Sequence, residues 1–243
     1  MTNTSEAGRK LPLYERWRWQ IFAITWLAYA GFYLTRKSFS VAKIGIGEGT
    51  AIGLTQAQMA WIDGAYLTAY AVGQFIWGIA GDKFGTRKVI LAGMLCSVIA
   101  GMAMGASSVA IAFGVLFCIQ GLSQSTGWAP LSKNIGNFFS QRERGMVMGV
   151  WCTNYAVGGL VASIYAGYVG ERYGWRYAFF FPAATLLVIW FLFWRFQRNR
   201  PEDVGLPSIE RYHGETPPVL DESERPEEEP DGSWKVILEV IKN

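Results

Sequence analysis

The sequence predicts an all-α polytopic membrane protein of six transmembrane helices arranged as a 3+3 inverted repeat. Three observations carry this expectation: six apolar runs, a one-sided distribution of basic residues, and a motif that recurs at a fixed offset. A helical span of the bilayer core needs roughly 20 apolar residues. Runs of that order lie at about 19–40, 59–81, 89–105, 109–130, 147–169 and 177–194. Only 17% of the 243 residues are charged, whereas soluble domains carry about 25%. Cys96, Cys118 and Cys152 all sit inside apolar runs, which excludes a disulfide scaffold.

The net charge of +3 joins two unlike regions. Residues 1–200 hold eighteen Lys/Arg and seven Asp/Glu, and residues 201–243 hold four and twelve. In chain order, the tail 1–18 carries Arg9, Lys10, Arg16 and Arg18. The connection after the second run carries Lys83, Arg87 and Lys88, the one after the fourth Arg142 and Arg144, and the end of the sixth Arg195, Arg198 and Arg200. The intervening connections hold only Lys43, Arg172 and Arg176. The positive-inside rule then places both ends of the six-helix unit in the cytoplasm, in a plasma (inner) membrane. Trp17, Trp19 and Trp194 mark span ends, as an interfacial aromatic belt does. Basic residues distributed between spans in this way exclude a nucleic-acid-binding domain.

The chain divides into a cytoplasmic tail (1–18), a six-helix transmembrane half-domain (19–197) and an acidic central loop (198–243). Residues 198–231, with His213 and Glu227-Glu228-Glu229, read as a flexible solvated loop. Residues 234–241 (WKVILEVI) resume an amphipathic pattern, so the chain reads as the front half of a longer protein. Gly78-x-x-Gly81-Asp82-Lys83-Phe84-Gly85-x-Arg87 ends the second run. Gly167-x-x-Gly170-Glu171-Arg172-Tyr173-Gly174-x-Arg176 ends the fifth, 89 residues later at every position. The second run ends inside and the fifth outside, so the two three-helix units are inverted, an arrangement found in secondary transporters.

Gly78-x-x-x-Asp82-Lys83-x-Gly85-x-Arg87-Lys88 also resembles the loop motif between the second and third helices of the major facilitator superfamily. The resemblance implies the N-terminal half of that fold, set in a lipid bilayer and completed by a C-terminal six-helix half or a second copy. Four further stretches resemble the organophosphate:phosphate antiporters and sugar-phosphate exchangers within it. They are Tyr33-x-x-Arg36-Lys37, Gly127-Trp128-x-Pro130, Ser140-Gln141-Arg142-Glu143-Arg144-Gly145 and Gly205-Leu206-Pro207-x-Ile209-Glu210. This implies a secondary active antiporter that exchanges an organophosphate or sugar phosphate for inorganic phosphate by alternating access. The chain departs from the bacterial glycerol-phosphate carriers at Tyr155, their fifth-helix His, and at Gln74, their second-helix Lys. A transporter of another small anion or drug, and a non-transporting sugar-phosphate sensor, stand as alternatives.

Arg36 and Lys37 are the sharpest chemical signal, because a cation inside a span costs about 3 kcal/mol even on insertion scales. Spacing alone leaves two readings open. A guanidinium fork matches phosphate oxygens, yet about 1.5 Å of rise per residue from Trp19 carries Arg36 past mid-membrane, where it would snorkel outward. The resemblance selects Arg36 as the phosphate ligand, with Lys37 on a neighbouring face. Tyr29, Tyr33 and Arg36 share one helical face, as do Asp63, Tyr66, Tyr70 and Gln74 in the second run. Gln120, Gln124 and Gly127, with Trp128 adjacent, form a stripe in the fourth, and Asn154, Tyr155 and Gly158 one in the fifth.

The candidate substrate-binding residues are therefore Arg36, Lys37, Tyr29, Tyr33, Tyr70, Gln74, Gln124, Trp128, Asn154 and Tyr155. The candidate gating loop is Gly78, Asp82, Lys83, Gly85, Arg87 and Lys88, in which Arg87 is expected to neutralise Asp82 at a helix C-terminus. Asp63 either balances Arg36 or lies at the outer mouth in water, the second being favoured. Lys133 is expected beside Arg142 and Arg144. No phosphate loop, nucleophile elbow or zinc spacing occurs, so neither a cofactor nor an enzymatic activity is expected.

Overall fold

Six apolar runs become eight principal helices, because two of the spans break in the middle. The computed structural model describes residues 12–213. The helices are α1 (Pro12–Ile46), α2 (Gln56–Phe84), α3 (Thr86–Ala106), α4 (Ala110–Gln124), α5 (Trp128–Phe138), α6 (Gln141–Trp151), α7 (Thr153–Tyr173) and α8 (Tyr177–Phe196). A 3₁₀ turn (Pro201–Val204) and a short α9 (Ile209–His213) follow. No strand occurs among the described residues. The α4–α5 break has a local cause: Ser125 and Thr126 hydroxyls donate back to the Leu122 and Ser123 carbonyls (2.6 and 2.7 Å), and Pro130 lacks an N–H.

Among the described residues, four stretches are long and apolar enough to cross a membrane: Thr86–Ala106, Ala110–Phe138, Gln141–Tyr173 and Tyr177–Phe196. The chain is an integral membrane protein of all-α architecture. α1 and α2 have the length, at 35 and 29 residues. Arg36 and Lys37 interrupt the first, and Tyr66, Tyr70 and Gln74 dilute the apolarity of the second. The two least apolar crossings are thus the two with the most polar stripes.

Helix ends follow capping chemistry. Pro12 opens α1, so the last residues of the expected tail (12–18) are helical. Thr55 and Gln58 form a capping box on α2. Gly85 ends α2 at φ 85° and Gly174 ends α7 at φ 100°, a left-handed backbone that side chains disfavour. These two glycines are equivalent positions of the 89-residue repeat, so the repeated motif builds the same helix stop twice.

α1 packs on α7 and α8, α2 on α4, and α3 on α4 and α8. The α2–α4 crossing depends on Gly121, where an added Cβ would stand 2.4 Å from the Tyr66 carbonyl oxygen. Two apolar clusters fill the bundle. One includes Phe32, Met94, Val98, Leu131, Trp151 and Leu186, and the other Phe39, Ile46, Phe113, Phe117 and Phe179. Along α1 the first reaches Leu34 and the second begins at Phe39, so a polar layer at Thr35–Arg36 separates them.

The helix ends that carry the basic connections assemble at one end of the bundle. Arg18, 5% exposed, donates to Glu15 (2.7 Å), to Glu143 (2.5 Å) and to the Phe138 carbonyl (3.1 Å). His213 Nε2 lies 3.6 Å from Glu143, and Tyr14 stacks on Tyr212 at 4.0 Å. The expected solvated loop is therefore folded back on α1 as far as His213, because Tyr14 offers Tyr212 an aromatic partner. Glu227-Glu228-Glu229 and 234–241 lie outside the described residues.

Two substitutions test this packing. Arg18→Gln breaks a buried ion pair and is expected to cost about 3 kcal/mol. Gly121→Ala overpacks the α2–α4 crossing and is expected to cost roughly 1–3 kcal/mol. Both outcomes are read as a lowered melting temperature of the purified protein, with Arg16→Gln as an unchanged control.

Candidate functional site

The polar layer that divides the apolar core is organised around Arg36. Counting along α1 puts this residue beyond mid-helix, yet its partners are central. Tyr70 is the fifteenth of 29 residues in α2, and Gln124 the fifteenth of 29 in Ala110–Phe138. Arg36 is therefore held at the middle of its neighbours and does not snorkel to the surface. Its Nε–H donates to Gln124 Oε1 (3.0 Å). Its guanidinium carbon lies 4.4 Å from the Tyr33 ring centre, 4.9 Å from that of Tyr70 and 5.6 Å from that of Tyr66. A desolvated cation over an aromatic face gains about 2 kcal/mol.

Gln124 is fully buried and uses both ends of its amide. Oε1 accepts from Arg36 and from the Tyr66 hydroxyl (2.8 Å), while Nε2 donates to Thr35 Oγ1 (2.9 Å). These bonds fix the Nε edge of the guanidinium. The Nη2 edge is buried without a partner among the described residues. No carboxylate pairs with Arg36 there either, since Asp63 is taken by Lys43 (2.5 Å) at the end of the bundle away from the basic connections. Asp63 thus lies where the outer-mouth reading put it. The layer retains an uncompensated positive charge and unused donors, an environment suited to an anion.

The neighbouring candidates join this layer to different degrees. The hydroxyls of Tyr29 and Tyr70 are 3.3 Å apart. Trp128 packs edge-on against Tyr29 (5.5 Å), and both contact Trp151. Asn154 is fully buried, with neither side-chain atom bonded among the described residues. Lys37 runs instead along α7, where a Cβ on Gly159 would stand 3.9 Å from its Cε. Its one-residue offset turns it about 100° from Arg36, and it borders the layer through Tyr33, whose ring lies 3.5 Å from the same point on Gly159. Gln74 is half-buried, and Tyr155 is 51% exposed on the open face of α7. Neither takes part in the hydrogen bonds or ring contacts around Arg36.

Two members of the layer were not among the candidates. Tyr66 is legible, since it precedes Tyr70 by one turn on the same stripe. Thr35 carries no sequence signal, because nothing in its own segment shows that Gln124 will reach it.

In the loop between α2 and α3, the cation on Asp82 is Lys133 of α5, not Arg87. Arg87 instead donates to the Trp194 carbonyl at the end of α8, where helix-terminal carbonyls attract cations, and its backbone N–H donates to Asn199 Oδ1 (2.9 Å). Gly85 supplies the turn, Gly78 has open space around it, and Lys83 and Lys88 are exposed.

The model of the Major Facilitator Superfamily matches residues 25–240. The chain is 30% identical over 202 residues to the "Probable hexose phosphate transport protein" of Chlamydia trachomatis serovar D, covering 83% of this chain and 44% of the relative. It is 32% identical over 210 residues to the glycerol-3-phosphate transporter of Bacillus subtilis (strain 168), covering 84% and 46%. It is 31% identical over 198 residues to the membrane sensor protein UhpC of Escherichia coli (strain K12), covering 81% and 44%. The chain spans less than half the length of each of these relatives.

Gln124→Leu removes the acceptor of Arg36 Nε and Tyr66 OH, at an expected cost of roughly 1–3 kcal/mol for each buried group left unpaired. Tyr70→Phe removes only the long Tyr29 contact. Thermal unfolding of the two variants is expected to show the larger loss for Gln124→Leu.

Proposed function

The chain belongs to the Major Facilitator Superfamily, and from that premise we propose that it is the N-terminal six-helix unit of an antiporter. The antiporter exchanges an organophosphate or sugar phosphate for inorganic phosphate. The observation that carries this reading is Arg36: a mid-span guanidinium pinned along one edge, with a buried donor unpartnered on the other and no carboxylate beside it among the described residues. A phosphoryl group offers the paired oxygens that such a fork takes up. The relatives named as hexose phosphate and glycerol-3-phosphate transport proteins support the same substrate class.

In this reading Arg36 holds the phosphoryl group, and Tyr29, Tyr33, Tyr70 and Trp128 shape the space for the remainder. Gln124 keeps the guanidinium oriented, and Asn154 is a polar group available from α7. A second six-helix unit supplies the opposite wall and a further cation. Rocking of the two units alternates access, with the Asp82–Lys133 pair bracing the loop side. The basic end faces the cytoplasm of an inner membrane. Gln74 and Tyr155 stand where the glycerol-phosphate carriers have a Lys and a His, so the proposal names the organophosphate class and no single member of it.

The relative named a membrane sensor protein supports one rival: binding of a sugar phosphate without transport. Proteoliposomes of the full-length protein, loaded with inorganic phosphate and given external labelled phosphate, separate the two. The antiporter shows saturable exchange, and a sensor shows binding without flux. Arg36→Gln is expected to abolish exchange, and Arg36→Lys to lower it roughly tenfold to a hundredfold through loss of the bidentate fork. Unchanged exchange in Arg36→Gln removes the proposed role of this residue.

A further inference from the structure

At the basic end of the bundle, apart from the Arg36 layer, α5, α6 and the segment after α8 enclose a pocket of about 400 Å³. The α5–α6 wall contributes Ser132, Lys133 and Arg144 and no carboxylate. The facing wall contributes Arg200 together with Glu202 and Glu210. The cationic excess therefore belongs to the α5–α6 side.

Arg144 is a fixed group on that wall. Its Nη2 donates to the Gly136 carbonyl (2.8 Å) and the Phe139 carbonyl (3.4 Å) at the end of α5. The guanidinium lies across Gly136, where an added Cβ would be 3.6 Å from Arg144 Cζ. Both Arg144 Nε and Ser132 Oγ are buried without a partner among the described residues. Buried polar groups are nearly always bonded, so two such donors on one pocket wall call for an acceptor.

We propose that this pocket is a second, peripheral anion site that takes a phosphate group. The group belongs either to free phosphate or to the headgroup of an anionic lipid. Arg144 and Ser132 hold it by charge-assisted and hydroxyl hydrogen bonds, and Lys133 and Arg200 add attraction. Lys133 also pairs with Asp82 of the α2–α3 loop, so a bound anion competes with Asp82 for the ammonium. Occupancy of the pocket is thereby linked to the strength of that brace, whatever the central layer transports.

The test uses the full-length protein carrying Arg36→Gln, in phosphatidylcholine nanodiscs, titrated with inorganic phosphate by calorimetry. The expected result is saturable binding that Ser132→Ala weakens by about tenfold, the loss of one charge-assisted contact, and that Arg200→Glu weakens by about tenfold or more through reversed charge. Melting curves confirm folding, and Ser132→Ala decides alone if Arg200→Glu does not fold. In a second arm without phosphate, phosphatidylglycerol replaces part of the phosphatidylcholine. A lipid source predicts a raised melting temperature that the same substitutions remove. Phosphate binding and phosphatidylglycerol stabilisation that are both absent, or both indifferent to Ser132 and Arg200, overturn the proposal.

Discussion

A guanidinium carried into the apolar length of a membrane helix has to be compensated by whatever surrounds it, and Arg36 shows how this bundle does so. Among the described residues, compensation comes from three aromatic faces and one amide oxygen, not from a carboxylate. The difference matters physically. A carboxylate would neutralise the charge and take one edge of the fork through two parallel bonds. Aromatic rings and an amide lower the cost of burial while leaving the charge and one edge uncommitted. The surrounding structure is consistent with this constraint. Tyr66 and Gln124 must meet at one depth, and Gly121 permits the α2–α4 approach that brings them there.

The same economy of charge recurs away from the centre. Lys43 takes Asp63, Lys133 takes Asp82, and Arg18 takes Glu15 and Glu143. These four carboxylates are thus engaged at the two ends of the bundle, and the mid-span layer keeps a net positive charge. In the proposed antiporter this arrangement draws a phosphorylated anion to one place in each half-cycle. It also explains part of the lower apolarity of α1 and α2, since Arg36, Tyr66 and Tyr70 belong to the layer.

Much of this was open to sequence reasoning, for identifiable reasons. The six runs are legible because a span's length is set by the bilayer, and Arg36 stands out because the membrane makes a buried cation expensive. Tyr29, Tyr33 and Tyr70 follow from helical spacing on single segments. Pairings between segments were less accessible. Asp82 has cations adjacent in sequence, yet Lys133 reaches it from 51 positions away because α5 packs against α2. Arg87 is diverted by unsatisfied carbonyls at the end of α8, which no local pattern records. Lys37 lies on the neighbouring face that helical spacing assigns it, and Tyr155 is half exposed on α7, so neither enters the hydrogen bonds around Arg36. The fold-back of residues up to His213 was hidden by their polar composition, which says nothing of the Tyr14–Tyr212 stack.

The edge of Arg36 left unpartnered among the described residues is proposed to receive a phosphoryl group. A structure of the full-length protein determined with inorganic phosphate bound tests it most directly. Tetrahedral density is expected with oxygens about 2.8 Å from the Arg36 Nη atoms, the distance of a charge-assisted bond, and with Gln124 still on Nε. Phosphate bound in the central cavity away from Arg36, with its guanidinium unchanged, would contradict it.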